Sequence, residues 1–350
     1  MSRPNLLLAC NRGVREGCLT SADVERLERF ADWSWFECEG GGIETTNEDP
    51  TAAEELIARV GDKDGLIVCH GSPTVDDRVL DAAPKLRIVG ELEGDRFASR
   101  LDLEALWRRG VRTVDTNNAS SYPVADWALA LMLIAVRNGS CHYRRMIAGE
   151  TRVDAAALET GAGTLTGREI GLVGCGHMGR RLIRLLQPFE PARVWVHDPY
   201  LPTEMAEVVG FVQTSLEHVL GHCGVIVCLA PLTPGTRRMI GKAELDLIRP
   251  GCTFVNVSRG PIVDPQALIE RLKRGDITAG LDVFDPEPVP PDSEILELSN
   301  VFLSPHIGWY SPAVKEQYFT LMVDELERFF GGHETWFDLT PRSRDNRRGA

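Results

Sequence analysis

The chain has 350 residues, 43% of them apolar and 25% charged, with a formal net charge of −13. That length permits two domains with substantial cores. The acidic balance excludes a general binder of phosphate backbones, so nucleic acid is not an expected partner. An anionic nucleotide stays open, because a helix N-terminus and a few placed arginines act locally.

Nine cysteines stand at positions 10, 18, 38, 69, 141, 175, 223, 228 and 252. No C-x-x-C pair occurs, and the Cys223–Cys228 spacing fits no common zinc site. They read as reduced, mostly buried thiols, which places the protein in the cytoplasm and calls for no metal. The apolar run before Cys10 is too short for a signal sequence and reads as a first buried strand.

In chain order, strands are predicted at Leu6–Cys10, Leu66–Cys69, Leu86–Val89 and Val111–Val114, with helices over 21–31, 51–60, 75–82 and 102–109. Ser21 and Thr51 are the expected N-caps, and Gly61 and Gly110 end the helices before them. Strands alternating with helices imply a parallel sheet. A long helix from about Tyr122 to Ala148 interrupts the rhythm. Its most apolar part, Ala125–Val136, falls short of the ~20 residues a membrane span needs. It reads as a buried helix that also packs on a partner subunit.

A second alternation follows. Its strands are Ile170–Val173, Val194–His197, Val225–Leu229, Thr253–Val257, Ala279–Asp282 and Val301–Ser304, and its helices are His177–Leu186 and Pro265–Arg274. A proline-rich loop spans Asp285–Asp292, a last helix covers Ser311–Phe330, and the end of the chain reads as a flexible tail.

Residues 174–179 are Gly-Cys-Gly-His-Met-Gly, directly after a buried strand and at the start of a helix. Asp198 ends the next strand, nineteen residues past Gly179. This context makes a G-x-G-x-x-G match a dinucleotide fingerprint. Gly174 makes the tight turn, Gly176 lets a pyrophosphate approach, and Gly179 allows close helix packing; His177 and Met178 lie within the same turn. Asp198 would accept ribose hydroxyls and repel a 2′-phosphate, and no arginine follows it, so NAD is expected rather than NADP.

Three side chains suited to carbonyl chemistry stand just after strands: Arg259, Glu287 and His306. Arginine can hold a carboxylate in its planar fork, and histidine exchanges protons near neutrality, steadied by an adjacent carboxylate. Taken singly, each also reads as an ordinary surface or loop residue.

Five segments in register change that balance: 170–179, 231–236 (Pro-Leu-Thr-Pro-Gly-Thr), 256–264 (Asn-Val-Ser-Arg-Gly-Pro-Ile-Val-Asp), 280–288 (Gly-Leu-Asp-Val-Phe-Asp-Pro-Glu-Pro) and 305–308 (Pro-His-Ile-Gly). Together they resemble the D-isomer-specific 2-hydroxyacid dehydrogenases, the family of phosphoglycerate dehydrogenase and glyoxylate/hydroxypyruvate reductase. The resemblance implies an NAD-dependent oxidoreductase acting on a small 2-oxo or 2-hydroxy acid. In it Arg259 anchors the substrate, Glu287 partners the histidine, and His306 is the acid/base. Asp282 would lie near the nicotinamide, and Pro231 and Thr233 would line the cofactor cleft.

It further implies a Rossmann-type doubly wound parallel sheet, residues 119–308, inserted in a smaller flavodoxin-like α/β domain of residues 1–118 and 309–335, with 336–350 as the tail. The 122–148 helix would then make a homodimer. The chain departs from the pattern after the Leu86–Val89 strand, where Glu91-Leu92-Glu93-Gly94 replaces a glycine-rich turn that binds the substrate carboxylate. Leu92, Glu93 and Gly94 are the expected substrate-binding positions there, Glu91 and Glu93 either repel an anion or pair within the domain, and Arg96 is a candidate to offset them. Asp126-Trp127 replaces a usual Glu-His, and Trp309-Tyr310 forms either an aromatic wall or a packing contact. A corepressor that senses NAD(H) on the same fold is the alternative. His306 argues against a formate dehydrogenase, which carries glutamine there.

Overall fold

A computed structural model describes residues 3–42, 45–93, 100–152 and 163–341. The chain divides into two compact units, one running to Ser120 and resuming at Ser311, the other spanning Ser121–Tyr310.

The first unit is built on five parallel strands: β1 (Asn5–Cys10), β2 (Asp32–Glu37), β3 (Gly65–Val68), β4 (Ile88–Glu91) and β5 (Arg112–Asp115), ordered β2-β1-β3-β4-β5. That is the flavodoxin-like order, and it reverses between β1 and β3. Leu6–Cys10 and β3 are buried throughout, as expected of strands covered on both faces. The edge strand β2, Asp-Trp-Ser-Trp-Phe-Glu, was not anticipated, because its polar alternation lacks the apolar run of a central strand. A short helix, Arg12–Cys18, was also missed; Asn11 caps it by accepting the Val14 N–H at 2.9 Å.

Two cap assignments shift. Thr20, not Ser21, accepts the Asp23 N–H at 3.1 Å. Asp49, not Thr51, caps the next helix, with Pro50 in the first-turn position where a missing N–H does no harm.

The start of the expected tail is fixed in place. Glu325, fully buried, accepts the N–H groups of Trp336 and Phe337 at 2.8 and 2.9 Å, and Leu339 donates to Thr113 of β5 at 2.7 Å. Residues 336–340 are therefore part of the first unit; those from 342 on lie outside the described residues.

The second unit holds seven parallel strands: β6 (Glu169–Val173), β7 (Arg193–His197), β8 (Val212–Gln213), β9 (Val225–Cys228), β10 (Thr253–Asn256), β11 (Thr278–Leu281) and β12 (Val301–Leu303), in the order β12-β11-β10-β9-β6-β7-β8. This is the Rossmann arrangement with one strand added, and the order reverses between β6 and β9. Short elements in 203–222 and the helix Lys242–Leu247 were not read from sequence.

The helix expected over 122–148 is two helices, Ser121–Val136 and Gly139–Ile147, broken at Asn138, whose φ of 47° is left-handed. With the turn before it, the first forms a helical stretch of 20 residues, Asn117–Val136, apolar and long enough to cross a membrane and longer than the twelve-residue run seen in the sequence. Much of it is used internally: Leu131 lies so close to β11 that a Cβ on Gly280 would stand 2.9 Å from it.

Candidate active site

The nucleotide turn follows β6. Gly174 has φ +89°, and a Cβ there would stand 2.7 Å from the Ala230 backbone, so only glycine passes between the β6 and β9 loops. Gly179 is similarly tight, with a Cβ 3.2 Å from the Gly174 C=O. Gly176, by contrast, faces open space, with nothing within 4 Å of a Cβ.

The helix His177–Leu186 begins here with no side chain capping its first turn. Its N-terminal amides and positive dipole end form the kind of site that takes a phosphate. His177 is exposed, and Met178 packs partly into the core below the turn.

Asp198, at the end of β7, accepts the Cys175 N–H at 2.9 Å through Oδ2 and the Tyr200 N–H at 3.0 Å through Oδ1. A carboxylate oxygen has two lone pairs, so each can accept one more donor. An open cradle over Gly176, an uncapped helix start and a carboxylate at the next strand's end fit an adenine dinucleotide. Changing Asp198→Asn, which keeps an acceptor for Cys175 but removes the charge, is expected to raise the NADPH/NADH ratio of kcat/KM about tenfold. Steady-state kinetics with both cofactors reads this directly.

Across the switch point, Pro231 and Thr233 sit in a loop tied by Thr236. Its hydroxyl donates to the Pro231 C=O at 2.6 Å and accepts the Thr233 N–H at 2.8 Å.

Arg259, Glu287 and His306 come together within the second unit. Nδ1 of His306 and Oε1 of Glu287 are 2.5 Å apart. The second Glu287 oxygen accepts the Phe284 N–H at 3.2 Å. The turn after Arg259 presses on the same loop, since a Cβ on Gly260 would fall 1.8 Å from the Phe284 C=O. Asn256 braces that turn, accepting the Ser258 N–H at 3.1 Å and donating to the Arg259 C=O at 3.2 Å.

Burial pushes the Glu287 carboxyl up. The His306 hydrogen bond and charge, the Phe284 N–H and the Arg259 charge outweigh it and hold its pKa below the ordinary 4.5. Because the folded value is the lower one, ionised Glu287 stabilises the fold at neutral pH, and that contribution is lost as the pH falls through the folded pKa. Glu287→Gln is therefore expected to flatten the acid side of the stability–pH profile, which denaturant unfolding at several pH values reads.

Asp282 holds the His306 loop. It is 2% exposed, and its carboxylate accepts four donors: Trp127 Nε1 at 3.1 Å, the Ser304 hydroxyl at 2.5 Å, and the Ile307 and Gly308 N–H groups at 3.1 and 2.9 Å. Three of them meet Oδ1 and one, the Gly308 N–H, meets Oδ2. The resemblance implied a place near the nicotinamide; in this geometry the carboxylate's contacts go to the loop. His306 itself has φ 53°, a left-handed conformation that costs a non-glycine residue about 1 kcal/mol or more and persists only where neighbours impose it. Trp127 and Ser304 were not foreseen as site residues. Trp309 packs against the core, and Tyr310 is exposed with its ring edge-on to Trp309.

In the first unit, the three expected substrate positions separate. Leu92 is fully buried; its N–H donates to the Val68 C=O at 3.1 Å and its C=O accepts the Thr116 hydroxyl. Its N–H is thus engaged by the sheet in this structure. Glu93 pairs with His70 at 2.9 Å. Gly94 and Arg96 lie outside the described residues. Glu91 is buried beside Arg100 at 3.1 Å. Both acids thus pair within the unit, with Arg100 and His70 as the partners the sequence did not reveal.

The fold is one of two parallel-sheet α/β units, the second of Rossmann type. The family model described as "D-isomer specific 2-hydroxyacid dehydrogenase, NAD binding domain" matches residues 129–308. The chain belongs to the D-isomer specific 2-hydroxyacid dehydrogenase family. A glyoxylate reductase of Korarchaeum cryptofilum is 32% identical over 287 residues, 82% of this chain and 85% of that protein. A D-3-phosphoglycerate dehydrogenase of Methanocaldococcus jannaschii is 32% identical over 282 residues, 80% of this chain and 52% of that one. The chain therefore spans about half the length of the phosphoglycerate dehydrogenases it matches. The crystal structure of apo D-mandelate dehydrogenase from Rhodotorula graminis shares the fold, with a TM-score of 0.79, 23% identity, and coverage of 97% of this chain and 98% of that one.

Proposed function

We propose that this protein interconverts a small 2-oxo acid and its D-2-hydroxy acid with NAD(H), using Arg259, Glu287 and His306. The observation that carries the reading is the 2.5 Å contact between His306 Nδ1 and Glu287 beside the charge of Arg259. Bound NADH would supply the hydride to the carbonyl carbon. Arg259 holds the substrate carboxylate and steadies the charge developing on the carbonyl oxygen. Glu287 fixes the imidazole through Nδ1, which leaves Nε2 to give the proton to that oxygen. In the oxidative direction the same nitrogen takes the proton.

Gly174, Gly176, His177, Met178, Gly179 and Asp198 are the proposed cofactor positions, with Pro231, Thr233 and Asp282 beyond them. Leu92, Glu93 and Arg259 are the proposed substrate positions among the described residues.

The family names of the matched relatives favour a dehydrogenase over an NAD(H)-sensing corepressor. A homodimer through the 122–148 region is supported by Tyr143, Met146 and Ile147, which are exposed on the helix Gly139–Ile147. A cytoplasmic location is supported by nine free cysteines, all but Cys141 buried.

The test is NADH oxidation against glyoxylate, hydroxypyruvate, pyruvate and branched-chain 2-oxo acids. Turnover of at least one, giving the D product, is expected. Firm NADH binding with no turnover of any would favour the corepressor reading.

A further inference from the structure

The carboxyl edge of the five-stranded sheet carries a cysteine, a histidine and a glutamate whose ligating atoms converge. Sγ of Cys69, a ring nitrogen of His70 and a carboxylate oxygen of Glu93 all lie within 4.8 Å of one another. Among the described residues no other three such side chains meet this way. They stand past the ends of β3 and β4, next to the β1/β3 reversal, the edge at which α/β sheets take ligands.

Strand pairing accounts for the convergence. Val68 faces Glu91 in the β3–β4 register, and continuing it sets His70 opposite Glu93. The Leu92 N–H to the Val68 C=O carries that pairing past the strand ends. Cys69 and His70 then enter a turn closed by the Ser72 N–H on the Cys69 C=O at 3.0 Å, with Gly71 at φ +93° as its third residue, the type II pattern. A Cβ on Gly71 would lie 2.1 Å from the Cys38 C=O, which fixes the turn in place. The Cys69 N–H donates to Ala9 at 3.2 Å, and the His70 C=O accepts the Asn11 N–H at 2.7 Å, so both residues are also anchored at β1.

We propose that Cys69, His70 and Glu93 form a three-ligand site for a zinc-class divalent cation, with the fourth position left to water. Thiolate, imidazole and carboxylate together suit zinc and exclude magnesium and calcium, which take oxygen ligands. Tetrahedral bonds of about 2.0–2.3 Å hold ligand atoms roughly 3.3–3.7 Å apart. The present spacing, from 2.9 Å between His70 and Glu93 up to the 4.8 Å limit, brackets that range. Binding displaces three waters from the hydrated ion and forms one metal–sulfur, one metal–nitrogen and one metal–oxygen bond; the Cys69 thiol proton goes to water, and the His70 proton that faces Glu93 moves to the other ring nitrogen. Cys69 is fully buried, while the His70 and Glu93 side chains are 19% and 12% exposed, which leaves the ion a way in.

The test uses the full chain, stripped of metal by a chelator and titrated with Co²⁺. Binding of one ion per chain is expected, with a thiolate-to-cobalt charge-transfer band in the near ultraviolet that Zn²⁺ displaces. Cys69→Ser should lose that band, and His70→Gln and Glu93→Gln should each weaken binding tenfold or more, on the order of the loss seen when a metal-site contact is removed. If Cys69→Ser does not fold, the two variants at partly exposed positions decide. Absence of the band, its persistence in Cys69→Ser, or unchanged affinity in both His70→Gln and Glu93→Gln overturns the proposal. None of these readings depends on turnover, so the metal site and the proposed reaction stand or fall separately.

Discussion

Replacing His306 with asparagine is expected to lower kcat about 10²–10⁴-fold while leaving NADH affinity nearly unchanged. Asparagine is the informative substitution because it tolerates the left-handed backbone that His306 adopts, so the loop around it is kept. What is lost is the ring whose Nδ1 meets Glu287, and with it the proton for the carbonyl oxygen. Glutamate at 287 then has no imidazole to orient, so Glu287→Gln in the His306→Asn background should add little. Equal losses from His306→Asn and from the double variant would show that the two act as one unit. Stopped-flow fluorescence of NADH binding, run beside steady-state turnover, separates the two quantities.

The second large effect is expected at Asp282. Its carboxylate serves four donors on two separate segments, Trp127 on one and the 304–308 loop on the other. Asp282→Ala would leave those donors without an acceptor in a buried place, at about 3–5 kcal/mol of stability. It would also release the constraint on the His306 backbone, so kcat should fall even where the protein stays folded. Asp282→Asn retains one acceptor oxygen and should lose about half as much. Denaturant unfolding, with the second unit followed by its tryptophan fluorescence, measures the first quantity. Gly308→Ala tests the same packing from the other side, since a Cβ there would stand 2.8 Å from the Trp127 ring and 2.9 Å from Asp282.

Where the candidate site depends on local chain geometry, its form was legible in the sequence. The glycine turn of 174–179 could be recognised because strand, turn, helix and following acid are all read within some thirty residues. Arg259, Glu287 and His306 became readable only as a set, since each follows a strand end but nothing local distinguishes it from a loop residue.

The supports of the site were hidden for a physical reason. Trp127 and Asp282 are 155 positions apart, and their contact follows from how the helix Ser121–Val136 packs on the sheet. The partners of Glu91 and Glu93 were hidden likewise. Arg100 stands nine positions past Glu91, and His70 reaches Glu93 only through strand register. The pairing of the Leu92 N–H was hidden too, because β-pairing runs one residue past the strand. The 336–340 segment was read as part of a flexible tail, although its backbone is held by a buried glutamate and by β5.

The most direct test of the whole account is transfer of label from NADH deuterated at the reactive face of the nicotinamide to a 2-oxo acid that the panel identifies as a substrate. The account predicts one deuterium at C2 of a D-2-hydroxy acid product, formed by the wild-type protein and nearly absent with His306→Asn. Product carrying no deuterium, or label transferred at the same rate by His306→Asn, would contradict it.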